Sequence, residues 1–236
     1  MAAILEVEDL HKSFTLHILN SKHIRALEGV SFVLEEGEIM GLAGKSGAGK
    51  STLMKCIFRT YLPSLGQIRL RTAAGVVVDL TTAREHEILA IRKTEMTYCS
   101  QFLQAIPRVP AIEVVCEPLL RRTGREEALR MARECFVRLG LPEELWDAYP
   151  STFSGGEQQR INISRAIVSQ PRFLLVDEPT ASLDLKTKNA VIDMMLELKG
   201  QGTSIILITH DEHTLRRTAD RCLHLEGGRV LETVRP

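Results

Sequence analysis

The sequence has no long apolar run and no excess of charge of either sign. Roughly 18 consecutive apolar residues are needed to span a bilayer, and no run approaches that length; no secretory signal begins the chain either. Thirty basic and thirty acidic residues cancel, so no overall field attracts nucleic acid or an anionic membrane. We therefore expect a cytoplasmic protein without direct membrane insertion and without a nucleic-acid partner.

Cysteine pairs and metal-ligand clusters are also missing. The five cysteines lie far apart and form no C-x-x-C pair, which favours reduced thiols over disulfides or a metal site. The six histidines other than His210 show no metal-ligand spacing and are assigned no role, and His210 is discussed below with its strand. What remains is an ordinary globular composition, 44% hydrophobic and 25% charged, on a chain of 236 residues that is long enough to bury a full core.

The strongest positive signal is a glycine-rich run that matches G-x-x-x-x-G-K-[ST]. It consists of Gly44, Lys45, Ser46, Gly47, Ala48, Gly49, Lys50 and Ser51. An apolar strand over 39–43 and helical sequence from Thr52 onward give the context that this motif requires, which disfavours a chance match. Such a loop directs backbone N–H groups at phosphates, while Lys50 would reach the β- and γ-phosphates and Ser51 would ligate Mg²⁺. The run predicts a bound nucleotide.

Two further apolar runs are predicted strands that lead into polar residues. Residues 173–176 precede Asp177 and Glu178, an arrangement in which Asp177 reaches Mg²⁺ and Glu178 reaches a water near the γ-phosphate. The run 204–208 leads to His210. Ligands of open α/β sheets bind at the carboxyl ends of strands, so a role for His210 at the γ-phosphate is favoured over a structural one.

Three other positions are open between a structural role and a ligand contact. Phe14 lies at the end of the first predicted strand and is either a core residue or a ring that stacks on a purine. Gln101 follows a predicted strand and is either an ordinary loop residue or a ligand contact. Ser154, Gly155, Gly156 and Glu157 precede a predicted helix over 161–169, and form either a plain cap or, because glycines expose N–H groups, an anion site.

The remaining pattern predicts one α/β domain over 1–236 with a parallel-sheet core. Residues 1–101 would form the core together with a flanking antiparallel sheet, whose predicted strands are 4–10, 30–34, 67–71 and 76–80. Residues 102–165 would form an inserted helical subdomain that includes a helix over 125–139. Residues 166–236 would complete the core.

The order of these motifs resembles the nucleotide-binding domain of ATP-binding-cassette (ABC) proteins over essentially the whole chain. The motifs are the loop 44–51, Gln101, the Ser-Gly-Gly run at 154–158, the strand 173–178, the Ser-Leu-Asp run at 182–184 and His210. The resemblance implies a phosphate-loop ATPase fold that binds ATP and Mg²⁺. It also implies a head-to-tail dimer, expected between two copies of this chain, with two ATP molecules held between the subunits.

The resemblance assigns roles within one subunit. Lys50, Ser51 and Asp177 would hold ATP and Mg²⁺, and the whole run 44–52, Thr52 included, would contact the nucleotide. Glu178 would act as general base or as the carboxylate that orients water, with His210 at the γ-phosphate.

Other implied roles concern coupling between subunits and subdomains. Gln101 would contact Mg²⁺ and couple to the helical subdomain, and Asp184 would communicate across the dimer interface. Ser154 and Gly156 would donate to the γ-phosphate of the partner's ATP. The sequence departs from the usual pattern in carrying Glu157 where glutamine is commoner and Phe14 where tyrosine is commoner.

A narrower resemblance rests on residues 101–110, 114–120 and 153–165. These segments look like the PhnL family of cassette subunits from the carbon–phosphorus lyase pathway of phosphonate use. That resemblance implies an ATPase working with other lyase-pathway subunits in making ribose 1-methylphosphonate 5-triphosphate. The alternative is the ATPase of a membrane transporter or lipoprotein-release system, since such chains carry sequences like residues 26–31. A regulatory or nucleic-acid-linked cassette is disfavoured by the neutral charge.

Overall fold

The structure, a computed structural model, describes residues 2–16, 22–104, 107–120 and 122–235. Its strands are β1 (Ala3–Leu16), β2 (Lys22–Glu35), β3 (Ile39–Ala43), β4 (Leu65–Arg71), β5 (Val77–Asp79), β6 (Met96–Cys99), β7 (Phe173–Asp177), β8 (Ser204–Ile208), β9 (Arg221–Glu226) and β10 (Arg229–Val234). Its α-helices are α1 (Lys50–Ile57), α2 (Glu85–Thr94), α3 (Ala111–Cys116), α4 (Arg125–Arg138), α5 (Gly155–Val168), α6 (Leu185–Gly200) and α7 (Glu212–Thr218).

The larger sheet contains six strands in the order β10-β9-β3-β8-β7-β6. Its strands run parallel except for the β9–β10 hairpin. The register places both Leu42 of β3 and Asp177 of β7 opposite Ile208 of β8. These three strands therefore end at one level, which is the edge where a parallel sheet binds ligands.

Alternate residues of β7 enter two different cores. Leu174 and Val176 pack in a cluster with residues of the helical insertion, which consists of α3, α4 and α5. Phe173 and Leu175 pack in a second cluster with residues of β1, β2, β4 and α1. This division follows from the two-residue period of a strand. Because both faces are covered, the strand is buried and apolar up to Asp177, as expected for the interior of a parallel sheet.

A smaller antiparallel sheet, in the order β2-β1-β4-β5, confirms the sheet predicted to flank the core. Strand β1 is longer than the predicted 4–10, because its pairing with β2 continues to Leu16 opposite Lys22. Phe14 lies in this extension, opposite Ile24. The aromatic ring is therefore held on a paired strand.

The helical insertion packs α3, α4 and α5 around a shared apolar core. The rings of Phe136 and Trp146 lie there with their centroids 5.8 Å apart, and α4 matches the helix predicted over 125–139. The helix predicted over 161–169 was placed too late, since α5 begins at Gly155. Ser154 caps it and supplies the start signal that the apolar pattern alone did not give. None of the described helices combines the length and apolarity that a bilayer crossing requires.

The five cysteines, Cys56, Cys99, Cys116, Cys135 and Cys222, are unpaired and buried. Burial raises the pKa of Cys56 to about 11 and that of Cys99 to about 12. It raises the pKa of Cys116 and of Cys135 to about 11. These thiols are therefore both shielded and protonated at neutral pH.

We expect the native chain to resist alkylation, because only the thiolate reacts and every thiol is buried. Intact-mass spectrometry after iodoacetamide at pH 8 should show essentially unmodified protein. The same treatment in guanidinium chloride should add five adducts, one for each cysteine. Full labelling of any single site in the folded chain would contradict this packing.

Candidate functional site

The loop between β3 and α1 depends on glycine at two positions where other residues would collide with the backbone. Gly44 has φ 138°, and a Cβ there would lie 2.2 Å from the carbonyl oxygen of Leu225. Gly49 has φ 105°, and a Cβ there would lie 2.5 Å from the carbonyl oxygen of Ala26. Both contacts are with backbone, which cannot move aside as a flexible side chain could. The glycines therefore let the loop lie close to β2 and β9.

Lys50 begins α1 and turns its ammonium back over the loop. Its Nζ donates to the carbonyl oxygens of Gly44, at 2.6 Å, and Lys45, at 3.1 Å. Since an ammonium has three donors, one N–H remains for another acceptor. Burial lowers the pKa of Lys50, while the nearby carboxylates of Glu178 and Asp177 act in the opposite direction. The residue at the N-cap of α1 is Gly49, which has no side chain to cap the helix, so the first-turn N–H groups keep their capacity to bind an anion.

A cavity of about 620 Å³ opens over this loop, within the range of small-molecule sites. The residues predicted for the site that line it are Phe14, Ser46, Gly47, Ala48, Gly49, Lys50, Ser51, Thr52, Gln101, Asp177, Glu178 and His210. Gly44 and Lys45 contribute through the carbonyls that accept from Lys50. Residues far apart in the sequence thus converge on one cavity.

Asp177 ends β7 and is 5% exposed. Burial raises the pKa of its carboxyl group, and hydrogen bonds with Ser51 and Tyr98 counteract that rise. The Oη atom of Tyr98 donates to Oδ2 of Asp177 over 3.3 Å. Tyr98 was not predicted as a site residue, because only the pairing of β6 with its neighbour β7 brings this phenol to the end of the buried strand.

Glu178 follows Asp177 with φ 52°, in the left-handed region that side-chain-bearing residues rarely adopt. Its N–H donates to the carbonyl of Ile208 at 2.9 Å. Its Oε1 is buried and accepts no hydrogen bond from the residues that the structure describes. That oxygen lies 3.4 Å from Nε2 of His210, whose side chain is 63% exposed. Burial raises the pKa of Glu178, and His210 counteracts the rise.

Gln101 is exposed and stands between two cavities. It lines the cavity over the phosphate loop and also a second one, of about 620 Å³, that extends toward α3 and α5. Ser51 and Asp177 line both cavities as well. A group bound in either cavity can therefore reach the same three side chains.

The ring of Phe14 lines the first cavity but also packs against neighbours. It meets the ring of Tyr61 edge-on with centroids 5.3 Å apart, and Nζ of Lys12 lies 4.9 Å from its centroid. These contacts hold the ring at the cavity edge. Stacking of Phe14 on a base remains a prediction.

The Ser-Gly-Gly run lies outside the lining of the phosphate-loop cavity, as far as the described residues show. Oε2 of Glu157 accepts from both the backbone N–H and the hydroxyl of Ser154, each at 2.8 Å, while Oγ of Ser154 accepts from the N–H of Glu157. This reciprocal cap begins α5 and leaves Gly155 exposed and Gly156 partly exposed. The hydrogen bonds from Ser154 lower the pKa of Glu157, so its carboxylate is charged at neutral pH.

Asp184 also lies outside that lining and caps α6. Its Oδ1 accepts from the N–H of Thr187 at 2.9 Å, and its Oδ2 accepts from Arg160 of α5 at 3.0 Å. The structure thus divides the predicted residues into two groups, those around the cavity and those at the starts of α5 and α6.

Comparison with known proteins gives matches over nearly the whole chain. The family described as "ABC transporter" matches residues 27–181. The lipoprotein-releasing system ATP-binding protein LolD of Myxococcus xanthus is 35% identical over 98% of this chain and 99% of its own length. The methionine import ATP-binding protein MetN of Haemophilus ducreyi is 34% identical over 98% of this chain. The matched region spans 64% of the length of that relative.

The fold has close counterparts among solved structures. One is the ATP-binding cassette MJ0796, solved as a dimer in a post-hydrolysis state bound to ADP and Pi. It superposes with a TM-score of 0.88 at 28% sequence identity, and the match covers 98% of each chain. With the family match and these full-length relatives, the chain belongs to the ABC transporter family and carries its ATP-binding ATPase domain.

Proposed function

We propose that this chain binds Mg²⁺ and ATP in the phosphate-loop cavity and hydrolyses the γ-phosphate bond. The observation that carries the proposal is the convergence of Lys50, Asp177, Glu178, Gln101 and His210 on that cavity. Each supplies a group that phosphoryl transfer needs: a cation for the phosphates, a metal ligand, a proton acceptor and polar groups for positioning.

The donors present fit a magnesium ion. Mg²⁺ prefers oxygen ligands and keeps much of its coordination for water and phosphate oxygens. The hydroxyl of Ser51 and the carboxylate of Asp177 already share a hydrogen bond, so the two oxygens lie close enough to bind one ion. When bound, the ion would neutralise charge on the β- and γ-phosphates.

Glu178 is the proposed general base. Its Oε1 accepts no hydrogen bond from the described residues and is free to accept from a water. Burial, by raising its pKa, makes the carboxylate a stronger base than an exposed glutamate. His210, 3.4 Å away, would orient the water and contact the γ-phosphate.

The starts of α5 and α6 are proposed to complete the site of a second cassette. Ser154 and Gly155 are exposed at an N-terminus whose N–H groups and dipole favour an anion. A head-to-tail pair would bring Ser154 and Gly156 to the γ-phosphate of the partner's ATP, with Asp184 at the contact. The related MJ0796 cassette, solved as a dimer with ADP and Pi, supports this arrangement.

The work that ATP drives is proposed to be membrane transport or lipoprotein release. Relatives at 34% and 35% identity carry those functions in their names, and LolD matches over nearly its whole length. These comparisons favour this function over phosphonate metabolism, although the sequence resemblance had put phosphonate metabolism first.

The carbon–phosphorus lyase pathway is the second candidate, with other lyase subunits as partners. It depends on the segments 101–110, 114–120 and 153–165, of which residues 105 and 106 lie outside the described structure. Phe102 in the first of these segments is 74% exposed and lines the second cavity. An exposed phenylalanine beside a cavity suits a protein partner, whether that partner is a membrane protein or a soluble subunit.

Replacement of the proposed base should separate binding from hydrolysis. Glu178→Gln keeps the shape of the side chain but cannot take a proton, so steady-state hydrolysis should fall by about 10²–10⁴-fold. ATP should remain bound, and size-exclusion chromatography with ATP should show an accumulated dimer. Lys50→Ala is the control and should show neither ATP retention nor the dimer. Unchanged turnover in Glu178→Gln would assign the base elsewhere.

Loss of the Tyr98 hydroxyl should weaken magnesium binding. Tyr98→Phe removes the donor to Oδ2 of Asp177, and outer hydrogen bonds of this kind orient metal ligands. Because the bond is long, we expect the Mg²⁺ concentration for half-maximal binding of a fluorescent ATP analogue to rise about tenfold or less. Binding in EDTA should not change. Tyr149→Phe, at an exposed tyrosine, is the matched control. An equal effect of Tyr149→Phe would show that Tyr98 has no specific part in magnesium binding.

The two candidate functions differ in the partner recovered from cells. We expect affinity purification of the tagged chain, followed by mass spectrometry, to recover a multi-spanning membrane protein in detergent. Soluble lyase-pathway subunits, recovered from cells grown on a phosphonate, would instead establish the second candidate. Phe102→Asp should lose the partner in either case while it binds ATP normally. Leu231→Asp, at a residue 63% exposed on β10, should retain the partner.

A further inference from the structure

Two buried amide side chains on α5 point away from the helix and donate to backbone carbonyls at the ends of two strands. Gln159 and Asn162 are each 6% exposed. Their spacing of three residues places them on one face of the helix. Buried amides at such positions need partners, and both donate to backbone that leads directly to a polar residue of the phosphate-loop cavity.

Gln159 holds the backbone of the proposed base. Its Nε2 donates to the carbonyl oxygens of Glu178 and Pro179, each at 3.2 Å. The N–H of Glu178 is held by the carbonyl of Ile208. Glu178 is therefore fixed on both sides while its φ of 52° lies in the left-handed region. Such a conformation persists only where surrounding contacts enforce it.

Asn162 holds the peptide that precedes Gln101. Its Nδ2 donates to the carbonyl oxygen of Ser100 at 2.5 Å, and that carbonyl belongs to the peptide bond between Ser100 and Gln101. The hydroxyl of Ser100 donates in turn to the carbonyl of Phe102 at 2.8 Å. One helix thus fixes the backbone at both Gln101 and Glu178.

The same helix begins at the Ser-Gly-Gly run and is anchored in the helical insertion. Arg160 donates to the carbonyl of Gly140 at 2.6 Å and to Asp184 at 3.0 Å. A tilt of α5 relative to the sheet would therefore change the hydrogen bonds at Glu178 and Gln101 together. A change in the orientation of the helical insertion would therefore move α5 and, through the hydrogen bonds of Gln159 and Asn162, shift the backbone beside the cavity.

We propose that Gln159 and Asn162 are positioning residues that couple the orientation of α5 to the geometry of Glu178 and Gln101 within one subunit. This inference rests on the proposed hydrolysis of ATP in the cavity. Gln159 sets the direction of the base, and Asn162 sets the direction of Gln101. Neither lines the phosphate-loop cavity, so their loss should affect the chemical step more than it affects nucleotide binding.

The test compares Gln159→Met with Thr203→Val in the full chain. Thr203 is 4% exposed and donates to the carbonyl of Pro171 at 2.7 Å, so Thr203→Val also loses one buried bond to backbone, away from the cavity. We expect Gln159→Met to lower kcat for ATP by about tenfold or more. Its KM and its Kd for ATP should stay within about threefold of wild type, as small geometric errors weaken catalysis before binding. Thr203→Val should keep a wild-type kcat.

A second measurement is made without nucleotide. Amide hydrogen exchange of the peptide that covers 177–182 should be faster in Gln159→Met than in wild type or Thr203→Val. Equal exchange in both variants, or a kcat loss shared by Thr203→Val, would reduce Gln159 to an ordinary core residue and overturn the inference.

A double variant separates positioning of the base from a general loss of structure. Adding Gln159→Met to Glu178→Gln should lower the residual kcat by less than about twofold, because the base is already absent. A full further tenfold loss would contradict the inference. If the wild-type chain neither binds nor hydrolyses ATP, the proposed function itself has failed, whereas normal turnover in Gln159→Met overturns only the positioning role.

Discussion

The register between three neighbouring parallel strands is the constraint on which the site depends. With Leu42 and Asp177 both opposite Ile208, the phosphate loop, the acidic pair and His210 all leave the sheet at the same edge. A slip of one residue in β7 would turn Asp177 toward the opposite face and place an apolar side chain beside Ser51. The apolar cores on the two faces of β7 oppose that slip, since it would exchange their side chains.

This register places the ammonium of Lys50 close to the carboxylates of Asp177 and Glu178, in a region with little access to solvent. Lys50 is 7% exposed and Asp177 is 5% exposed, and burial shifts the pKa of each toward its neutral form. Their mutual attraction opposes those pKa shifts, and the loop carbonyls that accept from Lys50 hold its ammonium in place. The cavity is thus an environment in which the ammonium and the carboxylates are poorly solvated, which strengthens their interaction with a charged ligand.

Much of this arrangement could be predicted from sequence because it follows from local patterns. The loop 44–51 has a fixed spacing, and the buried strands β7 and β8 are apolar runs that end in polar residues. The start of α5 was misplaced because its first turn is polar and glycine-rich, and the capping contacts at Ser154 determine it.

Long-range contacts account for the rest. Nothing near Tyr98 in the sequence indicates that its hydroxyl meets Asp177, because that contact depends on the pairing of β6 with β7. Gln159 likewise resembles any polar residue on a helix until the packing of α5 against the end of β7 is known. The exposure of Ser154 and the position of Asp184 outside the cavity follow from the single-subunit geometry, which the motif order alone does not reveal.

The left-handed backbone at Glu178 lowers the stability of the fold at the residue that is proposed to act as the general base. A side-chain-bearing residue in this region costs about 1–3 kcal/mol, and the buried Oε1 atom, which accepts no hydrogen bond from the described residues, adds to that cost. Glycine at this position would relieve the backbone, and asparagine would tolerate it better than glutamate does. Glutamate at this position is therefore a cost to the stability of the fold, and only the proposed chemistry, not the packing, calls for its carboxylate.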